Sequence, residues 1–311
     1  MTASLWDGLL LLNKKSGLSS FDSLKGVKRA FATGKAGHTG TLDKFASGLL
    51  LVLVGRGLKL IPLFDHCVKE YTGTLRFGLE TDTLDPEGVV IAQGPLPSRE
   101  QVEAVLDAFR GNILQAPPAY SALHINGRRA HELAREGIAP EMKKRPVTVY
   151  DLEIVSWAPP EAVIHVCVSP GTYIRSLARD IALAAGSRSY LSSLTRTRVG
   201  DFHLEEAVED DGDGERLVKA LRPLDKKIFE ALSLPCLFID ENEAEDFIHG
   251  RPLQKKSGKD EFFTPPEDTK DVTWPAKKAA GVFRKNAPHE LLGTLEYKNG
   301  KWGYGHVFAN S

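Results

Sequence analysis

Cysteine is scarce in this chain. Its 311 residues include three cysteines, Cys67, Cys167 and Cys236, which are widely spaced and form no CxxC pair. An odd number of isolated cysteines argues against a disulfide-stabilised scaffold, a zinc ribbon and a redox-active dithiol. We therefore expect all three to be ordinary core or surface residues.

Long apolar runs and an excess of charge of either sign are also missing. The longest apolar run is Leu49 to Val54, far shorter than the ~18 residues that a membrane-spanning helix needs. Lysine and arginine number 40 against 41 aspartates and glutamates, which excludes a uniformly basic nucleic-acid binder but not a local basic face. No basic segment precedes the short N-terminal apolar run, as one would in a signal peptide. These features predict a cytoplasmic protein with no membrane attachment.

Familiar cofactor and nucleophile motifs are absent as well. The chain has no GxxxxGK(S/T), GxGxxG, HExxH or GxSxG, and its histidines are not at metal-ligand spacing. A glycosidase needs two carboxylates ~5 to 9.5 Å apart. Asp43 has no acidic neighbour in sequence, but folding could bring Asp82 or Asp180 close to it, so this alternative stays open.

Hydrophobic periodicity predicts a mixture of strands and helices. Buried strands are expected at Leu9–Leu12 and Leu49–Val54, and helices after the capping residues Ser19 and Ser98. A strand pair is expected at residues 147–157 and 162–169, and a helix with one apolar face after Gly171–Thr172. A C-terminal group is expected to have a helix at residues 241–249 and short strands at residues 291–308. Because strands and helices do not alternate regularly, we predict an α+β fold with a mixed or antiparallel sheet flanked by helices.

Composition also suggests how the chain is divided. A first domain is expected over residues 1–225 and a small, mostly β domain over residues 231–311. Residues 115–146 form a polar segment with six basic side chains, and residues 205–215 contain seven acids and two glycines. We predict an insert at the first segment and a solvated hinge at the second.

Five segments resemble, in the same order, the motifs of the TruB family of pseudouridine synthases. They are GHTGTLDKFASGLL from Gly37, EYTGTLRFGLETDTLDPEG from Glu70, QAPPAYSALHINGRRAHELAREG with the later KRPV, VSPGTYIRSLARDI, and YLSSLTRTRVGDF. With the flanking strand they cover residues 9–202. The chain departs from the family pattern at Lys15, at Lys44–Phe45, at Pro170 and at Ser192–Ser193, and we expect these departures to affect RNA affinity more than chemistry.

The resemblance implies the conversion of a uridine to pseudouridine, typically uridine 55 in the T-loop of tRNA, without metal or other cofactor. Asp43 would be the nucleophile, and attack at C1′, attack at C6 and formation of a glycal all remain open. Arg175 would hold this carboxylate ionised by lowering its pKa. Tyr71 would lie against the base and act in proton removal at C5. Without the resemblance, Asp43 is a turn residue, Tyr71 a core aromatic and Arg175 part of a solvated helix face.

The resemblance also implies how RNA is bound. His38 would occupy the space around the flipped nucleotide, and Tyr173 and Leu191 would line the uracil pocket. RNA backbone contacts are expected at six basic residues: Lys14, Arg128, Arg129, Lys143, Lys144 and Arg145. The C-terminal domain resembles a PUA RNA-binding domain. The expected partner is the T-arm of tRNA, bound by a monomer with no obligate protein partner.

Two other functions stay open at the level of sequence. One is a synthase that modifies a different uridine or a different RNA. The other is an RNA-binding or RNA-folding protein that has lost catalysis, although the presence of Asp43, Tyr71 and Arg175 argues against it.

Overall fold

The strands in the described part of the chain form one large sheet and three small ones. The computed structural model describes residues 6–121, 124–125, 128–129, 142–251, 279–298 and 301–308, with backbone only at 124–125, 128–129, 298 and 301. The strands are β1 (Gly8–Lys14), β2 (Ala36–His38), β3 (Ser47–Val54), β4 (Lys69–Phe77), β5 (Leu79–Thr81), β6 (Val90–Gln93), β7 (Gly111–Gln115), β8 (His124–Ile125), β9 (Arg128–Arg129), β10 (Arg145–Ala158), β11 (Glu161–Val168), β12 (Ser189–Val199), β13 (Phe202–His203), β14 (Val208–Glu209), β15 (Cys236–Ile239), β16 (Ala279–Arg284), β17 (Ala287–Lys298) and β18 (Lys301–Val307).

The large sheet is mixed. Its order is β14-β1-β3-β12-β4-β11-β10-β7, with β2 added to β3 and β13 added to β12. The pairs β1–β14 and β12–β3 are parallel, whereas the other pairs along this path are antiparallel. Strand β12 thus joins the N-terminal strands to the β4–β11–β10 meander, and this joint lies beneath the candidate site.

Strands β1 and β3 are buried on both faces, which explains their uninterrupted apolar sequences. Leu9 and Leu11 pack on one side of the sheet with the 3-10 helix Gly55–Phe64. Leu10 and Leu12 pack on the other side against Leu24 and Val27 of the first helix. Side chains alternate between the faces of a strand, so a run of leucines fills two cores at once.

Helices cover the sheet and are capped where the sequence predicts. Ser19 accepts a hydrogen bond from the Asp22 amide, and Ser98 forms a capping box with Gln101. The α-helices are α1 (Ser20–Ala30), α2 (Arg99–Leu106), α3 (Ile174–Ala184), α4 (Gly214–Lys219), α5 (Lys226–Ala231) and α6 (Glu241–Ile248), and short 3-10 helices lie at Asp107–Phe109 and Leu204–Glu206. In the described residues, no helix is long and apolar enough to cross a membrane.

The C-terminal strands make a four-stranded sheet of order β15-β16-β17-β18. This sheet has a core of its own, around Phe247 and Val282. On its other side Phe283 and Phe308 join the cluster that contains Leu9 and Leu11 of the large sheet. The two sheets therefore share buried apolar surface.

The α+β fold with a mixed sheet and a small C-terminal β sheet is confirmed. The solvated hinge at residues 205–215 is wrong in part, because Val208 pairs in parallel with Leu12 and is buried. The buried Val208 side chain holds this acidic segment at the edge of the sheet. Half of the insert at residues 115–146 lies outside the described residues, and the domain boundaries stay predictions.

Candidate active site

Asp43 lies on a loop between β2 and β3 that is fastened along its length. The Ser20 hydroxyl at the start of α1 donates to the Leu42 carbonyl at 3.0 Å and accepts from the Leu42 amide at 2.8 Å. On the far side of Asp43, the Gly17 amide donates to the Lys44 carbonyl at 2.8 Å. The backbone that carries the carboxylate is therefore fixed before any ligand binds.

Arg175 in the first turn of α3 lies against Asp43. Its Nη2 donates to Oδ1 of Asp43 at 3.0 Å, and its Nε lies 2.8 Å from Oδ2 at ion-pair distance. The Arg175 side chain is only 5% exposed, whereas that of Asp43 is 36% exposed. The arginine forms the buried floor of the site, and the carboxylate keeps an open side.

A second carboxylate, Asp85, holds the same guanidinium from the other end. Its Oδ2 lies 3.2 Å from Nη1 of Arg175, which also donates to the Thr83 carbonyl at 2.7 Å. The Asp85 side chain accepts from the Thr83 hydroxyl at 2.6 Å and from the Glu87 amide at 3.0 Å. Leu84, which lies between Thr83 and Asp85 in the chain, has a φ of 62°. This conformation is strained for a non-glycine residue and typical of functional loops.

These groups open into a cleft of about 840 Å³. Tyr71 on β4 lines the cleft and is almost buried, at 7% exposed. Other cleft-lining residues are Thr39, Gly40, Asp43, Lys44, Lys69, Asp82, Asp85, Glu87, Val89, Tyr120, Tyr173, Arg175, Leu194 and Arg196. The three predicted catalytic residues Asp43, Tyr71 and Arg175 thus meet at one cleft.

The pKa of Asp43 is raised, not lowered as the sequence suggested. Burial is the largest cause; Arg175 opposes the rise and the negative charge of Asp85 adds to it. The carboxylate sits in a recess, so it loses more water than its exposed edge suggests. Arg175 is the expected cation, but its effect on the pKa is outweighed.

Of the three predicted base-binding residues, one lines the cleft. Tyr173 does so, and its backbone is held by Gln115, whose side chain exchanges hydrogen bonds of 2.8 and 3.1 Å with the Tyr173 amide and carbonyl. Leu191 is fully buried in the core beside Tyr71, and Leu194 lines the cleft in its place. Alternate side chains of a strand point to opposite faces, and a register shift between Leu191 and Ser193 interrupts this alternation. The residue of β12 that faces the cleft is therefore hard to predict from the sequence.

His38 lies at the end of β2, one residue before the cleft-lining Thr39. Its pKa is lowered by burial and by the nearby charge of Arg196. Its Nδ1 is buried and has no hydrogen-bond partner in the described part of the chain. The ring is therefore a neutral imidazole at the edge of the cleft.

Lys14 does not line the cleft and its amine is directed into the protein, which contradicts the expectation of an RNA contact. It is 1% exposed, and its Nζ donates to the carbonyls of Leu18 at 2.6 Å and Lys15 at 3.1 Å, with that of Lys44 at 3.4 Å. Burial lowers its pKa to about 8. The position resembles an exposed turn in sequence, but the amine is directed inward, where it supports the loop of Asp43.

The other predicted RNA contacts differ in their placement. Lys143 and Lys144 are exposed. The Arg145 guanidinium lies 5.5 Å above the centre of the Tyr173 ring, a cation–π arrangement. The side chains of Arg128 and Arg129 lie outside the described ones, although their backbone forms β9.

A second carboxylate does lie beside the partner of Asp43, but it is neither of the two that the sequence suggested. Asp180 pairs with Arg179 at 2.8 Å and does not line the cleft. Asp82 lines the cleft and accepts a hydrogen bond from the Tyr120 hydroxyl at 3.2 Å. Asp85, which reasoning from sequence missed, is the carboxylate that shares Arg175 with Asp43. Within the described residues, no group of His, Cys, Asp or Glu is arranged to hold a metal ion.

Sequence reasoning also missed Ser20, Lys69, Gln115 and Arg196. Asp85 and Arg196 lie inside segments that carry the family resemblance, so the resemblance covers these residues but assigned no function to them. Ser20 and Gln115 act on backbone atoms more than 20 residues away in sequence, and no local pattern marks such contacts.

Comparison with known proteins identifies relatives of this chain. The family model described as TruB family pseudouridylate synthase (N terminal domain) matches residues 28–174. A tRNA pseudouridine synthase B from Borreliella afzelii (strain PKo) is 47% identical over 204 residues, which cover 65% of this chain and 72% of that protein. The protein of the same name from Francisella philomiragia subsp. philomiragia is 42% identical over 256 residues, covering 79% of this chain and 83% of that one.

A solved structure shows the same fold. A chain from the crystal structure of a Cbf5-Nop10-Gar1 complex superposes with a TM-score of 0.66 at 23% identity, covering 97% of this chain and 84% of that one. The fold, the cleft and the sequence relatives together define an RNA-modifying synthase. The chain belongs to the TruB family of pseudouridylate synthases.

Proposed function

We propose that this protein isomerises a uridine in the T-loop of tRNA, at position 55, to pseudouridine. The observation that carries the proposal is the Asp43 carboxylate held by the buried Arg175 on the floor of an open cleft. In the reaction the C1′–N1 bond breaks, a C1′–C5 bond forms, C5 loses a proton and N1 gains one. The reaction is an isomerisation within one nucleotide, so nothing is added or removed overall.

Asp43 is the proposed nucleophile. Attack at C1′, attack at C6 and removal of a proton on the route to a glycal all require the ionised carboxylate. Arg175 holds both carboxylate oxygens with one rigid guanidinium and leaves the open side of Asp43 toward the cleft. Orientation of this kind lowers the barrier because the reacting groups need not be ordered during the step.

Tyr71 and Tyr173 are proposed to hold the base. The target uridine is stacked inside a folded RNA loop, and it has to be extruded before Asp43 can reach it. Aromatic side chains at two sides of the cleft would receive the extruded base by stacking. Tyr71, the more buried of the two, is proposed to take part in removal of the C5 proton.

We propose that the exposed Lys143 and Lys144, with Arg145 and the neighbouring Arg128 and Arg129, contact the phosphates of the T-arm. His38 at the cleft edge would fill space left by the extruded nucleotide. The enzyme is proposed to act in the cytoplasm as a monomer without an obligate protein partner. The free thiols of its three cysteines support a reducing compartment.

The test is the variant Asp43→Asn on tRNA labelled with tritium at C5 of uridine. The variant should bind tRNA with nearly wild-type affinity and release no tritium, because an amide cannot act as the nucleophile. Asp180→Asn is the matched control, since Asp180 also pairs with an arginine but lies outside the cleft. It should keep wild-type release.

The possible outcomes separate the alternatives. Normal release from Asp43→Asn would show that Asp43 is not the nucleophile. Tight binding without release by the wild-type protein would identify an RNA-binding protein without catalysis. Sequencing of pseudouridine sites in RNA treated with the wild-type protein would place the modification at position 55 or at another uridine.

A further inference from the structure

The charged groups of the cleft are not balanced in pairs. Arg175 is matched by Asp43 and Asp85, and Lys44 is matched by Glu87 at 3.1 Å. Two other cleft-lining cations, Lys69 and Arg196, form no ion pair within 4.0 Å in the part of the chain that the structure describes. The Asp65 carboxylate also lines the cleft and raises the pKa of Lys69, but it is not in direct contact with it. Cations away from bulk water are costly unless an anion or several acceptors lie beside them.

Lys69 stands at the start of β4, two residues before Tyr71 and on the same face of the strand. Its Nζ donates to the Cys67 carbonyl at 3.0 Å, which leaves two N–H groups of the ammonium for another acceptor. Its pKa is lowered to about 8, mainly by burial and also by the charge of Arg196, while Cys67 and Asp65 act in the opposite direction.

Arg196 on β12 is 1% exposed. Its Nε donates to the Leu49 carbonyl at 2.7 Å and its Nη2 to the Gly40 carbonyl at 3.2 Å. These contacts hold the loop of Asp43 from below. The Nη1 group faces the position of a Gly40 side chain, because a Cβ placed there would lie 3.7 Å from Nη1.

Gly40 marks the space that lies between the two cations. A Cβ atom on this residue would lie 3.9 Å from Cε of Lys69 and 3.7 Å from Nη1 of Arg196. Both are ordinary contact distances, so a methyl group would fit without displacing the protein. A side chain at this position would nevertheless occupy space that is open to the cleft.

We propose that Lys69 and Arg196, across the gap at Gly40, bind a phosphodiester group of the RNA next to the extruded uridine. This inference rests on the proposed function. The phosphate supplies the direct ion-pair partner that the two cations lack among the described residues, and the loop that bears Asp43 is held by the same arginine. Binding of the RNA backbone is thereby linked to the position of the nucleophile.

The proposal predicts the direction in which the affinity for RNA changes with pH. Lys69 must be protonated to bind phosphate, and its pKa in the free protein is about 8. A bound anion favours the charged form, so binding takes up a proton when the pH is above that value. Affinity for RNA should therefore fall as the pH rises from about 7 to about 9.

The first experiment measures binding of a T-arm stem-loop RNA to Lys69→Met and Lys69→Arg. The Met variant should bind about tenfold more weakly, the size expected for one charge-assisted hydrogen bond, with a larger change in KM than in kcat. The Arg variant should bind within about threefold of the wild type and lose the decline above pH 8, because arginine does not titrate there. Lys25→Met removes one charge outside the cleft and should bind as the wild type does.

The second experiment does not depend on how a variant folds. Single methylphosphonate linkages, which carry no charge, replace the phosphates of the stem-loop one at a time. One linkage beside the target uridine should weaken binding to the wild type about tenfold and to Lys69→Met much less, because the two changes remove one interaction. Gly40→Ala should reproduce the effect of Lys69→Met while the melting temperature is kept.

The proposal is overturned if no linkage is coupled to Lys69, or if Lys69→Arg binds as weakly as Lys69→Met. Failure of the proposed function is a different result, in which the wild type makes no pseudouridine in the unmodified stem-loop. The binding experiments would still report on the phosphate site in that case.

Discussion

One arginine side chain connects the two carboxylates at the floor of the candidate site. Arg175 contacts the carboxylates of Asp43 and Asp85 and also the carbonyls of Thr83 and Tyr120. A guanidinium can serve four acceptors because its donors lie in a rigid plane, and an ammonium cannot reproduce that arrangement. The residue is thus needed for the positions of two loops as well as for their charge.

Arg175→Lys should therefore lower the single-turnover rate of pseudouridine formation by about a hundredfold, the loss of roughly 3 kcal/mol of charge-assisted hydrogen bonding. The melting temperature should also fall, because Asp85 is left buried without its full partner. Arg179→Lys is the control in the same helix, since Arg179 pairs with Asp180 outside the cleft. An Arg175→Lys variant with a normal rate would contradict this account.

The pH dependence of activity should report the raised pKa of Asp43. The carboxylate is active when ionised, so kcat/KM should fall as the pH drops through a pKa above the ordinary aspartate value. Asp85 contributes to the rise as a like charge, and its replacement in Asp85→Asn should move this acidic limb to lower pH. A limb that stays at the ordinary value in the wild type, or that moves upward in the variant, would refute the assignment.

At the scale of elements, the side-chain amide of Gln115 connects β7 to the start of α3 through hydrogen bonds. The Gln115 side chain both donates to and accepts from the backbone of Tyr173, which precedes α3 and lines the cleft. Tyr173 has no side-chain cap of its own at this helix start. The amide thus fixes the backbone of the tyrosine that precedes the helix.

Gln115→Leu should cost about 1 to 3 kcal/mol of stability, because two buried backbone groups lose their partner. It should also raise KM for tRNA more than it lowers kcat, since Tyr173 is proposed to bind the base and not to react with it. Thermal unfolding and steady-state kinetics measure the two effects. Gln93→Leu, at an exposed position of β6, should change neither, and equal behaviour of the two variants would contradict the role of Gln115.

Elements with strong local patterns could be predicted from the sequence, and elements set by distant partners could not. The apolar runs of β1 and β3 and the caps at Ser19 and Ser98 agree with the structure because each signal lies within a few residues. The 3-10 helix at Gly55–Phe64 and the position of β12 between β3 and β4 had no such signal. The pair of Asp43 and Arg175 was expected only through the family resemblance, and Asp85 joins it across 90 residues of chain.

At the scale of the whole molecule, the two sheets are joined by buried aromatic rings. Phe283 of β16 packs edge-on against Phe229 of α5 at 5.6 Å, within the cluster that also contains Leu9 and Leu11. The neighbouring Phe238 of β15 stacks on the other side of Phe283 but is 40% exposed. The C-terminal sheet is thus part of a core that it shares with β1.

Phe283→Ala should destabilise the protein by about 3 to 5 kcal/mol, the usual cost of removing a buried phenylalanine. Because the core is shared, both sheets should unfold in one transition at a lower temperature. Phe238→Ala is the control in the same sheet and should cost about 1 kcal/mol or less. Calorimetry would contradict a shared core if Phe283→Ala gave two separate transitions.

The fastening of the Asp43 loop has a consequence for the temperature dependence of the reaction. Gly40, Leu42, Lys44 and Phe45 are each held by contacts from elsewhere in the fold: Arg196, Ser20, Lys14 with Gly17, and Ser16. Ordering a loop residue costs about 1 to 2 kcal/mol of conformational entropy at 25 °C, and here that cost is met once, when the chain folds. Ordering of this loop should therefore contribute little to the activation entropy of the chemical step, which the temperature dependence of the single-turnover rate would show.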